Sequence, residues 1–144
     1  MKNRSVSTFI KEFMEIDKRI NQFYQDKFKQ WGLTTNAYLA LDLLQNRPEG
    51  IEPAQLADEL GIQRQLVTLI INDFDKRGFI LKKENKTDHR RKQILLNKKG
   101  TRFVKEVIDQ VMETDSRALM PFTDSELSLM LDFHQRYYDN LCNQ

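Results

Sequence analysis

Apolar side chains recur at helical spacing along most of this chain, with one interruption. Val6, Phe9, Ile10, Phe13, Ile16, Ile20, Phe23 and Tyr24 fall three or four residues apart, which predicts a long amphipathic helix over residues 6–29. Trp31-Gly32 ends it. Thr34 can cap a second helix, with Leu33 and Tyr38 placed as the halves of a hydrophobic staple; the helix stops near Gln45, before Arg47-Pro48-Glu49-Gly50. Pro53 suits the first position of a short helix, because a proline's missing N–H costs nothing there. That helix is expected to bury Leu56, Ala57 and Leu60, with Gly61 in the turn that follows. The next, from about Gln63 to Arg77, is expected to bury Leu66, Val67, Ile70, Ile71 and Phe74, and Gly78 stands where a left-handed cap belongs.

The interruption comes next. Residues 79–83 and 93–96 read as two strands, and the polar turn over 84–91 joins them into a hairpin. Asn97 can cap a helix over 98–119, with Phe103, Val104, Val107, Ile108 and Val111 on its apolar face and Pro121 after it. Thr123-Asp124-Ser125-Glu126 is a capping box, and Phe122 with Leu127 forms its staple, so a last helix starts there. The order α-α-α-α-β-β-α-α is mainly α: a winged helix-turn-helix between terminal helices. It assigns residues 33–97 to a winged helix-turn-helix DNA-binding domain, and residues 1–32 and 98–144 to a helical dimerisation region.

Composition narrows the class. The chain has 144 residues, 40% of them hydrophobic, and its 5 glycines and 3 prolines leave little room for long irregular segments. No apolar run reaches the roughly 18 residues a membrane helix needs. The start of the chain carries Lys2 and Arg4, then Lys11, Glu12 and Glu15, rather than an apolar core with a cleavage site, so no signal peptide is expected. Cys142, the single cysteine, has no internal partner, and a cytoplasmic location is expected.

Charge changes the picture further. Residues 61–102 hold 12 basic and 4 acidic side chains, a net of +8; the rest of the chain holds 11 basic and 17 acidic. A nearly neutral molecule has thus put its positive charge on one segment, as a polyanionic partner would require. In the helix after Gly61 the apolar set leaves Gln63, Arg64, Gln65, Thr68, Leu69 and Asn72 outward. The amino-terminal part of a recognition helix meets base edges, where Gln suits adenine, Arg suits guanine, and Leu69 or the Thr68 methyl suits a thymine methyl. The hairpin turn adds Lys86, Asp88, His89, Arg90, Arg91 and Lys92. Arginine is attracted into a narrowed minor groove, and Asp88 is placed to bond turn amides or the Arg90 guanidinium and so set its direction. The candidate DNA-binding residues are Gln63, Arg64, Gln65, Thr68, Leu69, Asn72, Lys86, Asp88, Arg90 and Arg91, and the partner is double-stranded DNA.

The terminal helices imply a second partner. The last helix turns Leu127, Met130, Leu131, His134, Tyr137, Tyr138 and Leu141 to one broad side, with Leu129 and Phe133 off it. A helix apolar over most of its circumference needs neighbours all round, and a twofold homodimer supplies them.

Taken in order, these residues resemble the MarR family of bacterial transcription regulators. The matching features are Leu33-Thr34, Leu56-Ala57-Asp58-Glu59-Leu60-Gly61, Val67-Thr68, Phe74 with Gly78-Phe79-Ile80, Asp88 and Arg90 in the wing, and Leu96-Asn97-Lys98-Lys99-Gly100. The resemblance implies a homodimer joined through its terminal helices on a pseudo-palindromic operator, with recognition helices in successive major grooves and wings in the minor groove. It also implies, for many members, release from DNA by a small aromatic or phenolic effector bound near the junction of the dimer and DNA-binding regions. The family often has Arg where this chain has Leu69, and Thr where it has Asn97.

Tyr24, Phe28, Trp31 and Tyr38 gather at the junction of the first two helices and form the candidate effector pocket, against the alternative that they are core. His89, His134 and Cys142 show no metal-ligand spacing, so no metal and no cofactor is expected. The chain has no Gly-rich phosphate loop, no nucleophile beside a base and no recognisable carboxylate pair, which argues against an enzyme. The reading is a sequence-specific DNA-binding regulator, a repressor by preference. The alternative is a winged-helix protein-interaction module without specific DNA binding.

Overall fold

The computed structural model describes residues 4–144; residues 1–3, which belong to the amino-terminal reading above, lie outside the described residues. The element order is α1 (Val6–Lys29), α2 (Thr35–Gln45), α3 (Pro53–Leu60), α4 (Arg64–Lys76), β1 (Ile80–Glu84), β2 (Lys92–Leu96), α5 (Lys98–Leu119) and α6 (Asp124–Cys142). The protein is a mainly helical winged helix-turn-helix. It comprises two compact units, one ending at Val107 and the other running from Ile108 to Gln144.

In the first unit α1 and α2 start where side chains meet their orphan amides. The Ser5 hydroxyl accepts from the Thr8 N–H at 3.1 Å, and the Thr34 hydroxyl from the Ala37 N–H at 3.1 Å. Helix α2 is the hub, packing on α1, α3 and β2, while α3 lies on α4 and β2. The core is built from Leu33, Ala40, Leu41, Leu44, Ile51, Leu56, Val67, Phe74, Ile94, Val104 and Val107, each at most 3% exposed. Truncating the fully enclosed Phe74 would cost about 3–5 kcal/mol.

β1 and β2 pair antiparallel from Ile80 opposite Leu96 to Glu84 opposite Lys92. Both strands differ by a residue from the expected spans. Phe79 stays out of the ladder because its N–H closes the end of α4 on the Phe74 carbonyl at 2.9 Å, with Gly78 at φ 75° permitting that bend. A third short segment joins the wing: Ile51 and Ile94 exchange backbone hydrogen bonds of 2.9 Å in each direction. Leu60 and Leu66, expected in the core, are half-buried. They flank the turn between α3 and α4, where Gly61 and Gln63 are themselves exposed.

Asn97 caps α5 as its sequence predicts. Its Oδ1 accepts from the Gly100 N–H at 2.8 Å, while its Nδ2 donates to the Gly78 carbonyl at 2.8 Å. Gly100 itself marks a close approach. A Cβ there would lie 2.2 Å from the Phe79 carbonyl oxygen, so α5 can reach the start of β1 only with no side chain at this position.

In the second unit the capping box forms as expected. Thr123 N–H donates to Glu126 Oε2 at 2.8 Å, and Glu126 N–H donates to Thr123 Oγ1 at 3.2 Å. The bonds from the Thr123 N–H and hydroxyl hold the Glu126 carboxyl below its ordinary range. Among the described residues none of α6 is buried. No helix of the described residues is long and apolar enough to cross a membrane.

Candidate nucleic-acid interface

The burial period of α4 decides its outward face. Val67, Ile70, Ile71 and Phe74 point into the core. That leaves Gln63, Arg64, Gln65, Thr68, Leu69 and Asn72 exposed toward the amino-terminal end, with Asp73, Asp75 and Lys76 exposed beyond them. Gln63 is the N-cap rather than the first helical residue, and its side chain makes no cap hydrogen bond. The Thr68 hydroxyl donates to the Arg64 carbonyl at 3.0 Å, which fixes the rotamer and leaves the oxygen lone pairs as acceptors. Leu69 is 66% exposed in the middle of this polar face. Such a surface offers donors and acceptors for base edges around one apolar contact.

The wing turn is ordered by its own side chains. Asn85 N–H donates to the Arg91 carbonyl at 2.8 Å, closing the neck of the turn. Asn85 Oδ1 accepts from the Thr87 N–H at 3.0 Å, and Asp88 Oδ1 accepts from the Arg90 N–H at 3.0 Å. Asp88 therefore orients Arg90 through its backbone; of the two roles expected for it, the structure shows bonding of a turn amide. Lys86 and Arg90 are exposed at the tip. Arg91 is placed differently from Arg90. Its Nε and Nη2 donate to Glu52 Oε2 at 3.0 and 2.9 Å, directing it back toward the start of α3. His89 Nδ1 lies 3.2 Å from Glu84. Lys82, on β1, pairs with Asp75 of α4 at 3.2 Å and ties the wing strand to that helix.

At the α1–α2 junction Tyr24 stacks on Phe28 at 6.0 Å between centroids, and Phe28 on Tyr38 at 4.3 Å. Phe28 is 3% exposed. These three expected pocket residues are thus brought together as mutually packed rings, while the Trp31 ring carries Lys27 at 5.6 Å.

Residues 31–91, from the end of α1 through the wing turn, match the family model described as MarR family. Over these residues the chain is similar to the MarR family. The transcriptional repressor MprA of Escherichia coli (strain K12) is 28% identical over 96 residues, covering 66% of this chain and 54% of that protein. The match thus spans about half the length of that relative. The uncharacterized HTH-type transcriptional regulator YcgE of Bacillus subtilis (strain 168) is 21% identical over 126 residues, 88% of this chain and 81% of that one. In fold the chain is similar to Streptococcus pneumoniae FabT, solved in complex with DNA: 15% identical, TM-score 0.80, covering 96% of this chain and 99% of that one.

Two residues of the site carry no signal in the sequence. Arg77 donates to the Trp31 carbonyl at 2.7 Å and the Gly32 carbonyl at 3.3 Å, joining the end of α1 to the end of α4. Its guanidinium also lies 4.9 Å from the centroids of both Phe79 and Phe103, which stack on each other at 4.4 Å. Beside it an open concavity of about 560 Å³ gathers Lys76, Lys99 and Arg102. Glu52 is the second, at the neck of the wing. Both act on partners far along the chain, and local pattern carries no signal for such pairs.

Proposed function

We propose that this protein is a sequence-specific DNA-binding transcription regulator, acting as a repressor, that grips a pseudo-palindromic operator as a homodimer. One observation carries the reading: the exposed face of α4 and the tip of the wing, both in the +8 segment, are the two surfaces a winged helix offers to major and minor groove. In this reading Gln63, Arg64, Gln65, Thr68, Leu69 and Asn72 meet bases and phosphates, and Lys86 and Arg90 enter the minor groove. The names of the relatives support it.

The dimer rests on apolar surface. Helix α1 exposes Val6, Phe9, Ile10, Met14, Ile16, Ile20 and Phe23; in the second unit α6 exposes Leu129, Met130, Leu131, Tyr138 and Leu141. So much exposed apolar side chain on each helix offers a surface for another chain, and a second copy matches the twofold symmetry of a palindromic site. Release by a small aromatic or phenolic effector belongs to the same reading. Because the rings of Tyr24, Phe28 and Tyr38 already pack on one another, such a compound must displace one of them. It must also bind the DNA-incompetent arrangement more tightly than the competent one.

The test is selection of bound duplexes from a randomised pool at physiological salt. Enrichment of an inverted repeat with half-sites about one helical turn apart supports the reading. Enrichment of no sequence overturns it in favour of a protein-interaction module.

A further inference from the structure

Helix α3 opens on a residue poorly matched to its place. Ser, Thr, Asp and Asn cap best, because a short side chain reaches the free amides of the first turn. Glu52 stands there instead, in a reciprocal capping box: its side chain faces the Gln55 N–H, and Gln55 Oε1 accepts the Glu52 N–H at 3.4 Å, an arrangement a shorter side chain would also allow. The cap alone does not call for a glutamate. The wing does. Glu52 Oε2 takes both Nε and Nη2 of Arg91, at 3.0 and 2.9 Å, while Oε1 accepts from Asn85 Nδ2 at 3.5 Å. Asn85 begins the wing turn and Arg91 ends it, and the two are joined by the 2.8 Å backbone bond between them. One carboxylate thus touches both legs of the hairpin at its neck. The carboxylate is well enclosed, with the Glu52 side chain 14% exposed. Its neighbour Ile51 carries the backbone bridge to Ile94 of β2, so the clamp continues an anchored strand.

We propose that Glu52 is the positioning residue of the wing: its carboxylate clamps the neck of the turn to the first helix of the helix-turn-helix, and so sets where Arg90 is delivered relative to α4. Arg91 is the other half of the clamp rather than a phosphate contact. This rests on the DNA-binding reading above.

The inference is tested by a sign. Glu52→Gln removes a negative charge from a DNA-binding unit, so long-range electrostatics alone would tighten binding. The clamp predicts the reverse. The probe is the duplex that the wild-type chain enriches from a randomised pool, with affinity measured by fluorescence anisotropy over a range of salt concentrations. E52Q should bind on the order of tenfold more weakly, the size of one weakened arginine contact, with a salt slope shallower by about one. E52Q/R90A should be no weaker than R90A, because an arginine that is already mispositioned has nothing left to lose. Arg91→Gln breaks the same clamp and leaves the α3 cap intact, so adding E52Q to R91Q should cause no further loss of affinity. A variant that had merely lost stability would keep the wild-type salt slope once its folded fraction is counted. E52Q binding as tightly as wild type or more tightly, or losses from E52Q and R90A that add in full, would overturn the clamp alone. A wild-type chain that enriches no duplex would overturn the DNA-binding reading and the clamp with it.

Discussion

Replacing Arg77 by methionine should cost the first unit about 2–2.5 kcal/mol, and the structure gives the reasons one by one. The guanidinium donates to the Trp31 and Gly32 carbonyls at 2.7 and 3.3 Å. Bonds of this charged kind are worth about 1.5–3 kcal/mol when enclosed. The side chain is 27% exposed, so water competes, and about 1 kcal/mol each is the fitting figure. The cation over Phe79 and Phe103 adds about 0.5–1 kcal/mol, counted once because both rings share one guanidinium. Methionine keeps an unbranched stem over the rings and recovers roughly 0.5 kcal/mol through its sulfur. At about 3 °C per kcal/mol for a chain of this size, Tm should fall by roughly 6–8 °C. Thermal denaturation followed by circular dichroism reads this out, at one fixed protein concentration because self-association would move Tm. Arg77→Lys should fall between the two, since a single ammonium serves two carbonyls less well than a planar fork. An R77M protein melting within about 2 °C of wild type would refute the reasoning, as the same principle requires a larger shift.

Three other perturbations follow from particular contacts. Gly100→Ala places a Cβ 2.2 Å from the Phe79 carbonyl oxygen. The helix-propensity gain of about 1 kcal/mol is then outweighed by a backbone displacement costing about 1–3 kcal/mol, so chemical denaturation should show a net loss where an unstrained site would show a gain. Arg90→Ala should weaken operator binding and lower the salt slope by about one, while leaving Tm within error, because Arg90 is exposed and Asp88 bonds its amide. An unchanged slope would remove Arg90 from the interface. The Glu126 carboxyl is held below its ordinary value first by the Thr123 N–H and then by the Thr123 hydroxyl. Its contribution to the α6 cap is complete above the ordinary glutamate value and is lost as the pH falls through the lowered folded value. Glu126→Gln keeps a capping-box residue but nothing to protonate, so the difference in acid-induced helix loss between the two proteins should be confined to the acid range below about pH 4.5. Identical acid titrations would show that the carboxylate contributes nothing.

What the chain determined by itself is whatever depends on near neighbours. Helix starts at Thr34, Asn97 and Thr123, the left-handed Gly78 and the packed face of α4 were all legible, because caps and periodic burial involve residues within a few positions of one another. The exposed face of α4 followed as the complement of its core face. The failures lie where tertiary structure intervenes. Leu60 and Leu66 obey the helical period yet are only half-buried, because period shows which way a side chain points and not whether anything covers it. The wing's third strand is Ile51 alone, too short to leave a pattern. Arg91, grouped by sequence with its neighbour Arg90, turns to Glu52, which lies 39 residues away; Arg77 finds Trp31 at a separation of 46. A charge is visible in sequence, but its partner is chosen by distance and enclosure after folding. That choice decides which of two adjacent arginines is paired with Glu52 at the neck of the wing and which is left at the wing tip.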